Sequence, residues 1–141
     1  MEIKAVTAAF SVAAQVTSDD LLTLKAAGFR TVVCNRPDNE APEQPSAASL
    51  AAQAQSLGMS WHWLPITPGL FTKDNISEFE QLLASANEPV LAFCRTGTRS
   101  ISLWALAQAP HTASAELLQR ATAAGYDLSQ LAPQLDAAKK Q

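Results

Sequence analysis

Cys94, Gly97, Arg99 and Ser100 fall within seven residues, in the run Cys94-Arg95-Thr96-Gly97-Thr98-Arg99-Ser100. A thiol, a permanent cation, a glycine and hydroxyls so close together suit one kind of chemistry, the holding of an anion beside a nucleophile. Val90-Leu91-Ala92-Phe93 behind Pro89 predicts a short buried strand leading into the run, and Ile101 to Ala109 predicts a helix leaving it. A thiolate is favoured between a strand end and a helix start. The first-turn N–H groups there lack an intrahelical partner, and the helix dipole adds partial positive charge. The loop residues Arg95, Thr96, Gly97, Thr98 and Ser100 can turn successive N–H groups into an anion-binding nest, with the Arg95 side chain directed to solvent. Gly97 allows a positive φ and a close backbone approach. Arg99 offers a planar donor fork for an oxyanion, and Ser100 is expected to donate its hydroxyl to the sulfur. Alone, Cys94 would read as an ordinary buried thiol. Its company points to nucleophilic catalysis or anion binding.

If the anion is a phosphate ester, the leaving oxygen needs a proton, and a general acid must supply it. Asp38 is the first candidate, in a loop after a strand; its competing role is that of a turn residue after Pro37. Asp74 is the second, at a position suited to a helix N-cap. Arg36 is either a second anion ligand or a partner in an ion pair. Trp61, Trp63 and Trp104 read as packing residues, and His62 and His111 as side chains without a catalytic part.

The elements that must hold these residues follow from periodicity and punctuation. Phe10 to Ala13 predicts a first strand at or near an edge. Thr17 or Ser18 caps a helix with Asp19 and Asp20 in its first turn and Gly28 at its end. Phe29 to Cys34 predicts a second strand, and Ser46 caps a helix stopped by Gly58. Ser60 to Leu64 predicts a third strand, and Lys73-Asp74-Asn75 opens a helix with Ile76, Phe79, Leu82 and Leu83 at core spacing. Beyond the Cys94 loop and its helix, Ala113 to Ala124 predicts another helix. Asp127 to Gln141 predicts a turn and a last helix, with Pro133 in its first turn. Alternating strands and helices make one α/β domain over residues 1–141, with a mainly parallel sheet of four or five strands flanked by helices. Ligands bind such sheets beyond the carboxyl ends of the strands, so the loops at 35–42, 65–73 and 94–99 are expected to meet there.

Composition narrows the partners. The 141 residues are 48% hydrophobic and 16% charged, with net charge −3, which disfavours general binding to nucleic acid or anionic membranes. No run approaches the roughly 20 apolar residues of a membrane span. The start, Met1-Glu2-Ile3-Lys4 and then Ala5 to Ala14, lacks the hydrophobic run of a signal peptide, so a cytoplasmic protein is expected. Two cysteines sixty residues apart make no disulfide framework, and Cys34 reads as packing in its strand. The two histidines share no ligand spacing, so neither a metal nor another cofactor is expected. The expected partner is a small anionic substrate, or a phosphorylated or sulfur-bearing molecule. The oligomeric state is left open.

Phe10-Ser11-Val12, Asn35-Arg36-Pro37-Asp38, the Cys94–Ser100 run and Gly125-Tyr126-Asp127-Leu128 together resemble the phosphatase-like domain of the bacterial beta-lactamase-hydrolase-like family. The resemblance covers roughly residues 2 to 138. It implies a cysteine-phosphatase fold, Cys94 as nucleophile and Arg99 as the anion-binding arginine. Two departures from the phosphatase pattern accompany it. Four residues separate Cys94 from Arg99 where phosphatases have five, and four is the spacing of many rhodaneses. Phe93 stands where phosphatases usually carry histidine. The expected function is therefore a phosphatase-type hydrolase working through Cys94. The alternatives are a rhodanese-like sulfurtransferase with a persulfide on Cys94, and a non-catalytic module that binds phosphate or sulfate.

Overall fold

The computed structural model describes residues 1–139. In chain order the elements are β1 (Lys4–Ala5), β2 (Phe10–Ala13), α1 (Ser18–Ala26), β3 (Thr31–Cys34), α2 (Ala47–Ser56), β4 (Ser60–Trp63), α3 (Lys73–Ser85), β5 (Val90–Phe93), α4 (Thr98–Gln108), α5 (Ser114–Ala123) and α6 (Ala132–Lys139). A short 3-10 turn at Ser129–Leu131 precedes α6. The sheet order is β1-β2-β5-β3-β4, with β1 antiparallel to β2 and every other pairing parallel.

The strand carrying the cysteine is central, and its alternation divides the core. Val90 and Ala92 face one side with Phe79 of α3, Ile101 and Trp104 of α4, Leu117 of α5 and Leu135 of α6. Leu91 and Phe93 face the other side with Leu21 and Leu24 of α1 and Leu50 and Ala54 of α2. β2, β3 and β5 are buried along their whole length, as parallel strands covered on both faces must be. Phe10 stacks on Trp104 at 6.0 Å and meets the edge of Phe79, also at 6.0 Å.

The ends of the elements follow their capping residues. Thr17 and Asp20 form a reciprocal capping box on α1, and Ser46 accepts the Ser49 N–H at the start of α2. At α3 the cap is Thr72, so Asp74 sits exposed in the first turn. Two elements differ from expectation. β1, a strand not expected from the sequence, pairs outside β2 through Lys4 with Val12 and Ala5 with Ser11, while β2 lies near the edge as expected. Helix α4 starts at Thr98, three residues before the first apolar position of its pattern. Pro133 lies in the first turn of α6, where its missing N–H costs little; the expected extension of this helix to residues 140 and 141 falls outside the described residues. Among the described residues, no helix is long and apolar enough to cross a membrane.

Candidate active site

Cys94 lies at the end of β5 and is 1% exposed. Gly97 is the N-cap of α4, with φ at 98°, a conformation that side-chain-bearing residues rarely adopt. Its N–H donates to the Cys94 sulfur at 3.1 Å. On its other side Gly97 is pressed by Tyr126: an added Cβ would collide with the phenol oxygen and come within 2.9 Å of its Cζ. The phenol donates to the Thr96 carbonyl at 2.8 Å. The Gln15 N–H donates to the Arg95 carbonyl at 3.2 Å, tying the loop to the chain after β2.

Arg99 is 8% exposed and held by three hydrogen bonds. Nη1 donates to Glu40 Oε2 and to the Ile66 carbonyl, and Nη2 donates to Glu40 Oε1, each at 2.9 Å. Glu40 also accepts from Arg36 Nε at 2.8 Å, and Arg36 Nη1 donates to Gln15 Oε1 at 3.0 Å. The hydrogen bonds from Arg99, aided by the one from Arg36, hold the Glu40 carboxyl down at about 2, against the pull of partial burial. The same carboxylate raises the Arg99 guanidinium above its ordinary value, with Cys94 a further contributor. A guanidinium has five N–H donors, and three are taken. The remaining two, on Nε and Nη2, lie along one edge of the plane and form a bidentate fork. Glu40 thus orients the arginine and leaves a donor edge for an anion.

The other residues singled out by sequence take the following places. The Ser100 hydroxyl donates to Asn35 Oδ1 at 2.8 Å, not to the sulfur, and the Asn35 amide donates to the Leu64 carbonyl at 3.0 Å. This buried pair pins the ends of β3 and β4 to the start of α4. Asp38 Oδ1 accepts the Ala47 N–H at 2.8 Å, satisfying a first-turn donor of α2. The carboxylate that meets Arg99 is therefore Glu40, two residues further along. Cys34 is buried on the α1–α2 face, and burial pushes its thiol up to about 11. Arg95, Thr96 and Thr98 are exposed around the loop. Trp104 and Trp61 pack in the core, whereas Trp63 is 46% exposed and donates its indole N–H to the Arg36 carbonyl at 3.0 Å. His62 and His111 are exposed, and among the described residues no cluster of three or more His, Cys, Asp or Glu side chains is placed to hold a metal ion.

Beside the loop opens a groove of about 560 Å³. Phe71, Leu128 and Leu131 supply apolar wall, while Arg95, Thr98 and Arg99 line the side toward the cysteine loop. Glu40, Gln15 and Ile66 lie in no motif or spacing that marks them in the sequence. Only the Gly125–Leu128 segment hinted at Tyr126, without indicating its contact.

The family model for the beta-lactamase hydrolase-like protein, phosphatase-like domain, matches residues 2–112. The chain belongs to this family. The beta-lactamase hydrolase-like protein of Agrobacterium fabrum is 34% identical over 99 residues, which cover 70% of this chain and 23% of the relative. The chain thus spans about a quarter of the length of the curated relatives it matches. A Neisseria meningitidis protein crystallised as a candidate phosphatase shares 34% identity, with a TM-score of 0.88 over 98% of this chain and 99% of that one. TpbA of P. aeruginosa, crystallised with phosphotyrosine, is 15% identical and matches with a TM-score of 0.66 over 95% of this chain and 85% of its own. The phosphatase-like domain accordingly has the fold of the cysteine phosphatases. Four residues separate Cys94 from Arg99 in this chain.

Proposed function

We propose that this phosphatase-like domain hydrolyses phosphate monoesters through a thiolate at Cys94. The observation that carries the proposal is the state of Arg99: Glu40 and Ile66 occupy three donors, and a two-donor edge remains beside the loop. That edge binds two non-bridging phosphate oxygens, and the free first-turn N–H groups of α4 face the developing charge. The sulfur attacks phosphorus in line, an S–P bond forms and the ester O–P bond breaks, and the departing oxygen takes a proton. Water then attacks the phosphocysteine, releasing inorganic phosphate and restoring the thiolate. Asp38 is the proposed proton donor, and to act it must leave the Ala47 N–H. The organic part of the ester lies in the groove against Phe71, Leu128 and Leu131. The phosphotyrosine held by TpbA is a monoester of this class.

A second reading is favoured by two observations. The loop has four residues between Cys94 and Arg99, and the carboxyl beside Arg99 stays ionised because it titrates at about 2. A sulfurtransferase needs no proton donor. The thiolate attacks the outer sulfur of thiosulfate, an S–S bond forms, and sulfite leaves as a stable anion. Cyanide then removes the persulfide sulfur as thiocyanate and restores the thiolate.

The test offers the purified chain p-nitrophenyl phosphate and, separately, thiosulfate with cyanide. Release of p-nitrophenol that disappears in Cys94→Ser supports the phosphatase. Thiocyanate formation without phosphate release, lost in the same variant, assigns the sulfurtransferase. Saturable phosphate binding without either turnover leaves only a binding module.

A further inference from the structure

One peptide unit of the loop is gripped at both ends. The carbonyl of Thr96 and the N–H of Gly97 belong to the same peptide, which is trans and so points the two groups in opposite directions. Tyr126 donates to the carbonyl at 2.8 Å, and the N–H donates to the Cys94 sulfur at 3.1 Å. The chain phenol–carbonyl–amide–sulfur is therefore continuous. A donor on a carbonyl polarises its peptide and strengthens the hydrogen bond made by the N–H, by roughly 10–30% per bond. The same phenol fills the space a side chain at Gly97 would need, so the peptide cannot rotate away without displacing the ring.

We propose that Tyr126 is a positioning residue for the nucleophile: its hydroxyl fixes and polarises the peptide whose N–H is aimed at the Cys94 sulfur. Tyr126 comes from the segment between α5 and α6, beyond the stretch matched by the family model. Lys4 of β1 sits over its ring, with Nζ 4.7 Å from the centroid. The other charged or titratable groups around the sulfur are Arg99 on α4 and Cys34 on β3, with Glu40 and Arg36 behind Arg99. β2 contributes no titratable side chain. None of these groups touches the Thr96–Gly97 peptide as Tyr126 does. The inference rests on Cys94 being the nucleophile, whichever reaction it serves.

The experiment reads the thiol without a substrate. Alkylation of Cys94 by iodoacetamide is followed by mass spectrometry from pH 5 to 9. In Tyr126→Phe, which removes only the hydroxyl, the midpoint of the rate–pH curve should rise by about half a unit. Turnover at fixed pH should fall about three- to tenfold, mainly in kcat. An unmoved midpoint would make Tyr126 a packing residue and overturn the proposal. Tyr126 is the sole tyrosine of the chain, so uniform 3-fluorotyrosine labelling alters this phenol alone. Its more acidic hydroxyl is a stronger donor and should lower the midpoint at pH values where it stays protonated. That second arm decides the question if Tyr126→Phe fails to fold, and an unchanged midpoint there is equally fatal. A wrong reaction assignment would appear separately, as absent phosphate turnover with the alkylation shifts intact.

Discussion

Glu40 and Arg99 meet as a bidentate ion pair, Oε1 to Nη2 and Oε2 to Nη1, both at 2.9 Å, across 59 positions of sequence. The pair uses the end of the guanidinium and leaves its Nε side open. The carboxylate therefore acts as a bracket for the arginine. In the proposed reaction, the substrate anion binds Arg99 on that side and leaves the Glu40 pair intact.

If Glu40 is a bracket, Glu40→Gln should weaken anion binding. Losing one charged partner should raise KM by more than about tenfold, the scale of the roughly 1.5–3 kcal/mol of hydrogen bonds to charged groups. Steady-state kinetics with an aryl phosphate, or phosphate titration by calorimetry, measures this. Tighter binding in the variant would mean that Glu40 competes with substrates for the arginine.

Acid stability reports on the same pair. The Glu40 carboxyl is lowered from an ordinary 4.5 to about 2. Its contribution to stability is thus complete above pH 4.5 and disappears as pH falls through 2. Thermal melts between pH 5 and 2 should show a steeper loss in the wild type than in Glu40→Gln. Parallel curves would show that the pair does not contribute to folding.

Arg99→Lys keeps the charge and removes the fork. Anion affinity should drop by about 1.5–3 kcal/mol, or roughly ten- to hundredfold, because an ammonium cannot engage Glu40, Ile66 and an oxyanion in one plane. Retained affinity and turnover would remove Arg99 from the site.

Asp38→Asn separates the two reactions. A phosphatase that uses this carboxyl as acid should lose about 10²–10⁴ in kcat on alkyl phosphates and little on esters with acidic leaving groups. Sulfur transfer from thiosulfate should hardly change. An equal loss across all phosphate esters would instead reflect damage to the α2 start, where Asp38 holds Ala47.

The two thiols should differ in reactivity. Burial pushes Cys34 up to about 11, so it stays protonated and unreactive, whereas Cys94 accepts the Gly97 N–H at a helix start. Iodoacetamide at pH 6 should label Cys94 well before Cys34, as peptide mapping would show. Equally slow labelling of both would mean that the loop does not activate the thiol.

The Cys94–Ser100 run was legible in the sequence because its geometry is local. A strand end, a glycine at positive φ and a helix start determine where the N–H groups point, and all three lie within a few residues. The parallel strands and their helices were legible for the same reason, through runs and periods. The pairing of Lys4-Ala5 with β2 was not, because two residues carry no period and gain a partner only when the sheet forms. Nor was the start of α4 at Thr98, since Arg99 and Ser100 are polar yet buried, and only their distant partners make that burial tolerable. Tertiary structure alone assigned the donors. Ser100 could reach either sulfur or Asn35 by type, and the packing of β3 beside β5 supplied Asn35. Arg99 could have paired with Asp38, Glu40 or Asp74, and the path of the loop after β3 brought Glu40. Local sequence establishes which groups can bond, but the partner of a long side chain depends on which remote segment packs within about 3 Å of it.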